Sequence, residues 1–186
     1  MMTTTAVETR TVGTAPALRR LYFVRFGFAV VWAGLLALTA SDLGLAAGVL
    51  LVLYPLFDVA AAVVDARASR TRELVLNIVI SSLAAIGLAL AATSGIPAAL
   101  RVWGAWAILS GLVQLVVGLR RRRLGGQWAM ILSGGISTLA GASFIASAGQ
   151  DDAALTNLAG YAVLGGVFFL ISAIRLGRAA RTTEGR

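Results

Sequence analysis

The sequence predicts an all-α membrane protein whose six transmembrane helices are built as three parallel two-helix hairpin repeats. Three observations predict it. Of the 186 residues 59% are apolar, mean hydropathy is +0.88, and only 13% are charged, against roughly 25% in a soluble domain. A water-soluble domain of this size has too little interior to bury so much apolar side chain. The apolar residues fall in six runs of about 20, the length that crosses a hydrocarbon core about 30 Å thick. Finally, the basic residues gather at alternate ends of those runs, as cytoplasmic loops do.

Residues 1–18 are rich in Thr and Ala with no apolar period, which predicts a mobile cytoplasmic tail. Arg19 and Arg20 then open the first span, 22–40. A secretory signal peptide is the competing reading, because this run ends in ALTAS. The basic segment is long, however, Leu38 is a poor residue three before a cut after Ala40, and the same kind of span recurs downstream as ordinary membrane helix. The other spans are expected at 45–66, 74–93, 98–119, 127–147 and 154–174, in one domain covering 19–178, with 179–186 as a second cytoplasmic tail. Their connectors are short, so successive helices must run antiparallel. TASDLG, TSGIPA and SAGQDD are turn-formers, whereas RASRTRE and RRRRLGG carry charge.

That charge sets orientation. Every basic residue is Arg. Arg10, Arg19, Arg20 and Arg25 flank the first span, Arg67, Arg70 and Arg72 follow the second, Arg120, Arg121, Arg122 and Arg123 follow the fourth, and Arg175, Arg178, Arg181 and Arg186 follow the sixth. Arg101 stands alone on the other side, beside Asp42, Asp151 and Asp152. The expectation is a multi-pass protein of the bacterial plasma (inner) membrane with both termini cytoplasmic. A pI near 11.5 would also suit a nucleic-acid binder. Placement of the arginines at span ends explains them without one, so no nucleic-acid partner is expected.

A repeat is legible in the even spans, where Arg67, Arg120 and Arg175 recur at intervals of 53 and 55 residues. In the odd spans Gly34, Gly87 and Gly141 recur at 53 and 54. These mid-helix glycines, with Gly111 and Gly166, are the expected helix-packing positions, because small residues let backbones approach closely in lipid. A unit that crosses the membrane twice gives parallel copies, unlike inverted transporter repeats.

Chemistry is narrowed by absences. Without Cys or His there is no thiolate site, imidazole base or ordinary zinc set, and no phosphate-binding glycine loop appears. No enzyme, catalytic residue, metal or cofactor is expected. Trp128, Tyr22 and Phe23 fall at the predicted cytoplasmic level and Trp103 and Tyr161 toward the other, where an aromatic belt would sit. The run Arg120 to Arg123 is a candidate contact for anionic lipid, each cation contributing about 1 kcal/mol near such a surface.

Asp58 is the most informative residue. It lies nine positions before Arg67, about 13 Å along the helix at 1.5 Å per residue, well below the surface. A carboxylate there costs about 2.5 to 3.5 kcal/mol on insertion scales and must face protein or a wet cavity. Arg25, Asn77 and Gln114 lie in the same half of the membrane, so Arg25, Asp58, Asn77 and Gln114 form a candidate intramembrane polar cluster. The tie Asp58–Arg25 would pin helix two to helix one. The competing reading is a proton or ion path, for which polar residues should continue through the full thickness.

The stretch from Arg101 to Gly141 carries a phrase of its own: Trp106 and Gly111, the arginine run, then Trp128, Gly135, Ser137 and Gly141. It resembles the HdeD-type acid-resistance membrane protein family, most strongly over 98–148. The first hairpin departs, with Asp58 where the other repeats have Gly111 and Gly166, and with Pro55 unmatched. The resemblance implies an inner-membrane protein tied to acid stress or the envelope, with no catalytic site to carry over. Two other readings stand beside it: a small proton or solute transporter or channel using Asp58, and a membrane assembly scaffold, self-associating or joined to a membrane-protein partner through its Gly and Ser faces.

Overall fold

The computed structural model describes residues 4–40, 42–68, 71–120, 122–124 and 128–184, and of these the side chains from Pro16 to Arg178 other than Ala68 and Leu124. Arg70 and Arg121 lie outside the described residues, and the side chains of Arg10 and Arg181 are likewise outside the description, as is Arg186. The helices are α1 (Thr4–Thr39), α2 (Leu45–Ala68), α3 (Arg72–Ala91), α4 (Ile96–Arg120), α5 (Trp128–Ser147) and α6 (Thr156–Glu184), with a 3₁₀ turn at Arg122–Leu124. All six are long and apolar enough to cross a membrane, and the described residues contain no strand. This is the architecture of a multi-pass integral membrane protein.

Local chemistry accounts for the ends. Thr71 is extended and its hydroxyl accepts from the Leu74 amide, capping α3, with Glu73 in the positive first turn. Between α3 and α4 the chain turns at Gly95, whose φ of +93° suits only a residue without Cβ. The helix of α1 reaches back to Thr4, through the segment expected to be a mobile tail, and α6 continues to Glu184. Extending a helix already nucleated by a buried span adds one hydrogen bond per residue fixed, so polar composition alone does not stop it.

Three helix pairs pack most closely: α4 with α5, α1 with α6, and α2 with α3. The other sequence neighbours, α1 with α2, α3 with α4 and α5 with α6, touch less. Glycine explains the tightest pair. Gly104, Gly111 and Gly118 recur every seven residues on α4, as do Gly134 and Gly141 on α5, the spacing of a left-handed crossing. A Cβ on Gly111 would lie 2.7 Å from the Gly134 carbonyl, and one on Gly141 2.8 Å from the Ile108 side chain. In the α1–α6 pair a Cβ on Gly166 would lie 3.1 Å from Ala29.

The alignment of Gly34, Gly87 and Gly141 does not mark a shared packing face. Gly141 packs inside the α4–α5 pair, Gly87 faces Val102 across the next seam, and Gly34 is exposed with open space around it. The buried positions of α5 (Gly134, Ser137, Gly141, Phe144) fall 53 residues on from Ser81, Ala84, Leu88 and Ala91 of α3. The position matching Gly141 is therefore Leu88, and a slip of one residue turns a helix by about 100°.

The bundle is cored by rings. Trp32 and Trp103 stack at 5.2 Å, and Tyr54 and Trp106 meet them edge-on. Trp103 is fully buried, which corrects its expected place in an interfacial belt, and Tyr161 is half-buried with its hydroxyl on Ser137 at 3.0 Å. Trp128, 73% exposed, and Phe23, 38% exposed, are free to sit among headgroups. Leu38, Leu83, Leu90 and Leu139 point outward, as bilayer-facing residues must.

Candidate functional site

Asp58 is brought to the α2–α3 crossing by the same register that puts Gly111 against Gly134 in α4–α5. In α2–α3, therefore, a carboxylate and Ser81 occupy the place of two glycines. The Ser81 hydroxyl donates to Asp58 Oδ2 at 2.8 Å, and Asn77, one turn earlier on α3, donates to the same oxygen at 2.7 Å. Asp58 Oδ1 takes the Arg25 guanidinium from α1 as an ion pair. Trp106 of α4 donates its indole N–H to the Ser81 oxygen at 3.1 Å. Four helices thus converge on one carboxylate, and both of its oxygens are engaged.

Arg25 is held on a second side. Its guanidinium lies 4.4 Å from the centre of the Phe169 ring on α6, a cation–π contact that gains strength away from water. Phe28, Tyr54 and Phe57 complete the surroundings, with Phe28 and Phe57 stacked at 3.7 Å. Between these rings and the ion pair is a cavity of about 20 Å³, room for one water and nothing larger. The pair is not sealed, its side chains being 13% and 15% exposed.

Of the four residues expected to cluster, Arg25, Asp58 and Asn77 come together. Gln114 does not: it is half-buried on α4 and makes no hydrogen bond to the group among the described residues. Its place is taken by Ser81 and Trp106, which composition does not single out. Spacing does, because Ser81 is one turn after Asn77 and faces the same way. Nearby, Pro55 has no N–H to offer the Leu51 carbonyl, and in that loosened turn Trp32 donates to the Leu50 carbonyl at 2.7 Å.

The arginine run is open to solvent at Arg120, Arg122 and Arg123, and Arg122 reaches the Leu119 carbonyl at the end of α4 at 3.4 Å. On the opposite face Arg101 reaches the Ala148 carbonyl just beyond α5 at 3.5 Å, with Asp151 and Asp152 exposed. Among the described residues no three acidic side chains approach closely enough to hold a metal.

Compared with known proteins, the chain matches no family model, no curated protein and no solved structure. Chemically, the Asp58 group is an ion pair with both carboxylate oxygens engaged: three donors hold the carboxylate, and the cost of placing charge in the membrane is offset where it arises.

Proposed function

We propose that this chain is a non-enzymatic inner-membrane protein of the HdeD type, with both termini cytoplasmic, serving envelope or acid-stress tolerance as a closed helical bundle. The observation that carries the reading is the engagement of both Asp58 oxygens by Arg25, Asn77 and Ser81. A carboxylate so committed is suited to pinning helices together, and a proton carrier needs an oxygen free to exchange. The absence of His and Cys from the sequence supports the non-enzymatic part, and the Trp106 to Gly141 phrase supports the family. Recurrence of one crossing position, at Asp58, Gly111 and Gly166, supports a threefold repeat whose unit is an even helix with the odd helix packed closest to it.

A stress role is tested by expressing the chain in an acid-sensitive bacterial host, where survival of acid challenge should rise. Unchanged survival with the protein present in the membrane would refute it. A small transporter or channel is the second reading, favoured by the cavity beside Arg25 and Asp58. Proton flux in proteoliposomes that is lost in Asp58→Asn would decide for it.

A further inference from the structure

The cytoplasmic ends of α1 and α6, on the orientation proposed above, bring together an arrangement that the exposed Arg120, Arg122 and Arg123 lack. Arg19, itself exposed, lies between two surfaces. On one side its guanidinium lies over Gly177 of α6, so close that a Cβ there would fall 2.9 Å from Nε and 3.0 Å from Cζ. On the other it lies 5.4 Å from the centre of the Phe23 ring. Arg20 is adjacent and exposed, and no carboxylate among the described residues pairs with either arginine. Pro16, Arg19, Arg20, Phe23 and Val24, all on α1, line one shallow, open groove on its face. Phe23 and Val24 are 38% and 49% exposed and continue that groove toward the membrane interior.

We propose that this groove binds one anionic phospholipid, its phosphate held between Arg19 and Arg20 and its acyl chain laid along Phe23 and Val24. A guanidinium already packed against Gly177 and the Phe23 ring loses less rotamer freedom on binding than a free one, and its planar donors suit phosphate oxygens. The apolar wall below the cations selects a lipid over free phosphate. Gly177 is the positioning residue: any side chain there displaces Arg19, and because the displaced atoms are the far end of a flexible side chain, the fold is spared.

The test is native mass spectrometry of the delipidated full chain in detergent, titrated with phosphatidylglycerol, phosphatidylcholine or inorganic phosphate. Phosphatidylglycerol should bind as a single tight equivalent and the other two should not compete. Removing each arginine should weaken binding about fivefold, so Arg19→Gln with Arg20→Gln weakens it by more than tenfold. Gly177→Val should weaken it several-fold with unchanged helicity and melting temperature. The control pair Arg122→Gln with Arg123→Gln should leave the tight equivalent in place. Equal loss in that control would reduce the effect to general charge and overturn the proposal. So would full affinity in Gly177→Val, or competition by inorganic phosphate. Should the double arginine variant fail to fold, Gly177→Val and the control pair still decide.

Discussion

Gly111 and Gly134 stand back to back where α4 crosses α5, each one's carbonyl occupying space that the other's Cβ would fill. The approach is reciprocal, 2.7 Å from one side and 2.6 Å from the other, and both opposing atoms are backbone that cannot swing away. A methyl group here must separate the helices. Gly134→Ala is expected to cost about 1 to 3 kcal/mol, the usual penalty of overpacking. Its neighbour Gly135 meets nothing within 4 Å, so Gly135→Ala should be neutral or gain up to about 1 kcal/mol of helix propensity. Melting temperatures of the two variants in detergent make the comparison, and equal tolerance would mean that α4 and α5 do not cross there.

The two buried indoles of α4 offer a second comparison. Trp106 donates to Ser81, whereas the Trp103 N–H is buried with no partner among the described residues. Substituting Phe removes a similar ring portion at each site. At Trp103 it also removes an unsatisfied donor, and at Trp106 it takes a hydrogen bond from the Asp58 network. Trp106→Phe should therefore be less stable than Trp103→Phe by about 1 kcal/mol. A reversed order in thermal melts would place a partner on Trp103.

The sequence made the number of spans plain because twenty apolar residues without charge have few other uses, and hydropathy needs no knowledge of neighbours. Which helices pack most closely was not legible. In lipid both faces of a helix are apolar, so periodicity no longer points to the core, and α1 with α6 are joined by nothing local. The same blindness misplaced Trp103, since an indole suits a membrane interface and a protein core equally well. Asp58, Arg25 and Asn77 stood out because charge and amide are costly in lipid. Ser81 did not, because a serine can satisfy itself on its own helix, as Ser82 does on the Ile78 carbonyl at 2.7 Å.

The arginine distribution predicts an orientation that reporter fusions read directly. Reporter fusions after Arg72, after Arg123 and at the C-terminus should report cytoplasm, and fusions after Ser94 and Asp152 the opposite side. A cytoplasmic signal after Asp152 would remove α5 or α6 from the membrane.

The Arg25–Asp58 pair separates a structural tie from a moving proton, because the two roles respond oppositely to the same substitutions. In a tie, each partner compensates the other's charge. Asp58→Asn leaves Arg25 with the Phe169 ring and the electrostatic pull of Asp65, and Arg25→Gln leaves a carboxylate held by Asn77 and Ser81. Each single variant should lose melting temperature, and the double variant should recover part of the loss, with a coupling of about 1 to 3 kcal/mol. Replacing Ser81 with Ala should add to the Asn variant little, since its acceptor has already lost charge. In a carrier, Asp58→Asn would leave stability nearly intact and abolish pH-driven acidification of proteoliposomes, and Arg25→Gln would show no matching recovery in the double variant. Melting temperature and acidification measured on the same three proteins therefore discriminate. Additive losses with no coupling would refute the tie, and an Asp58→Asn protein that is both stable and unchanged in flux would exclude either role for this carboxylate.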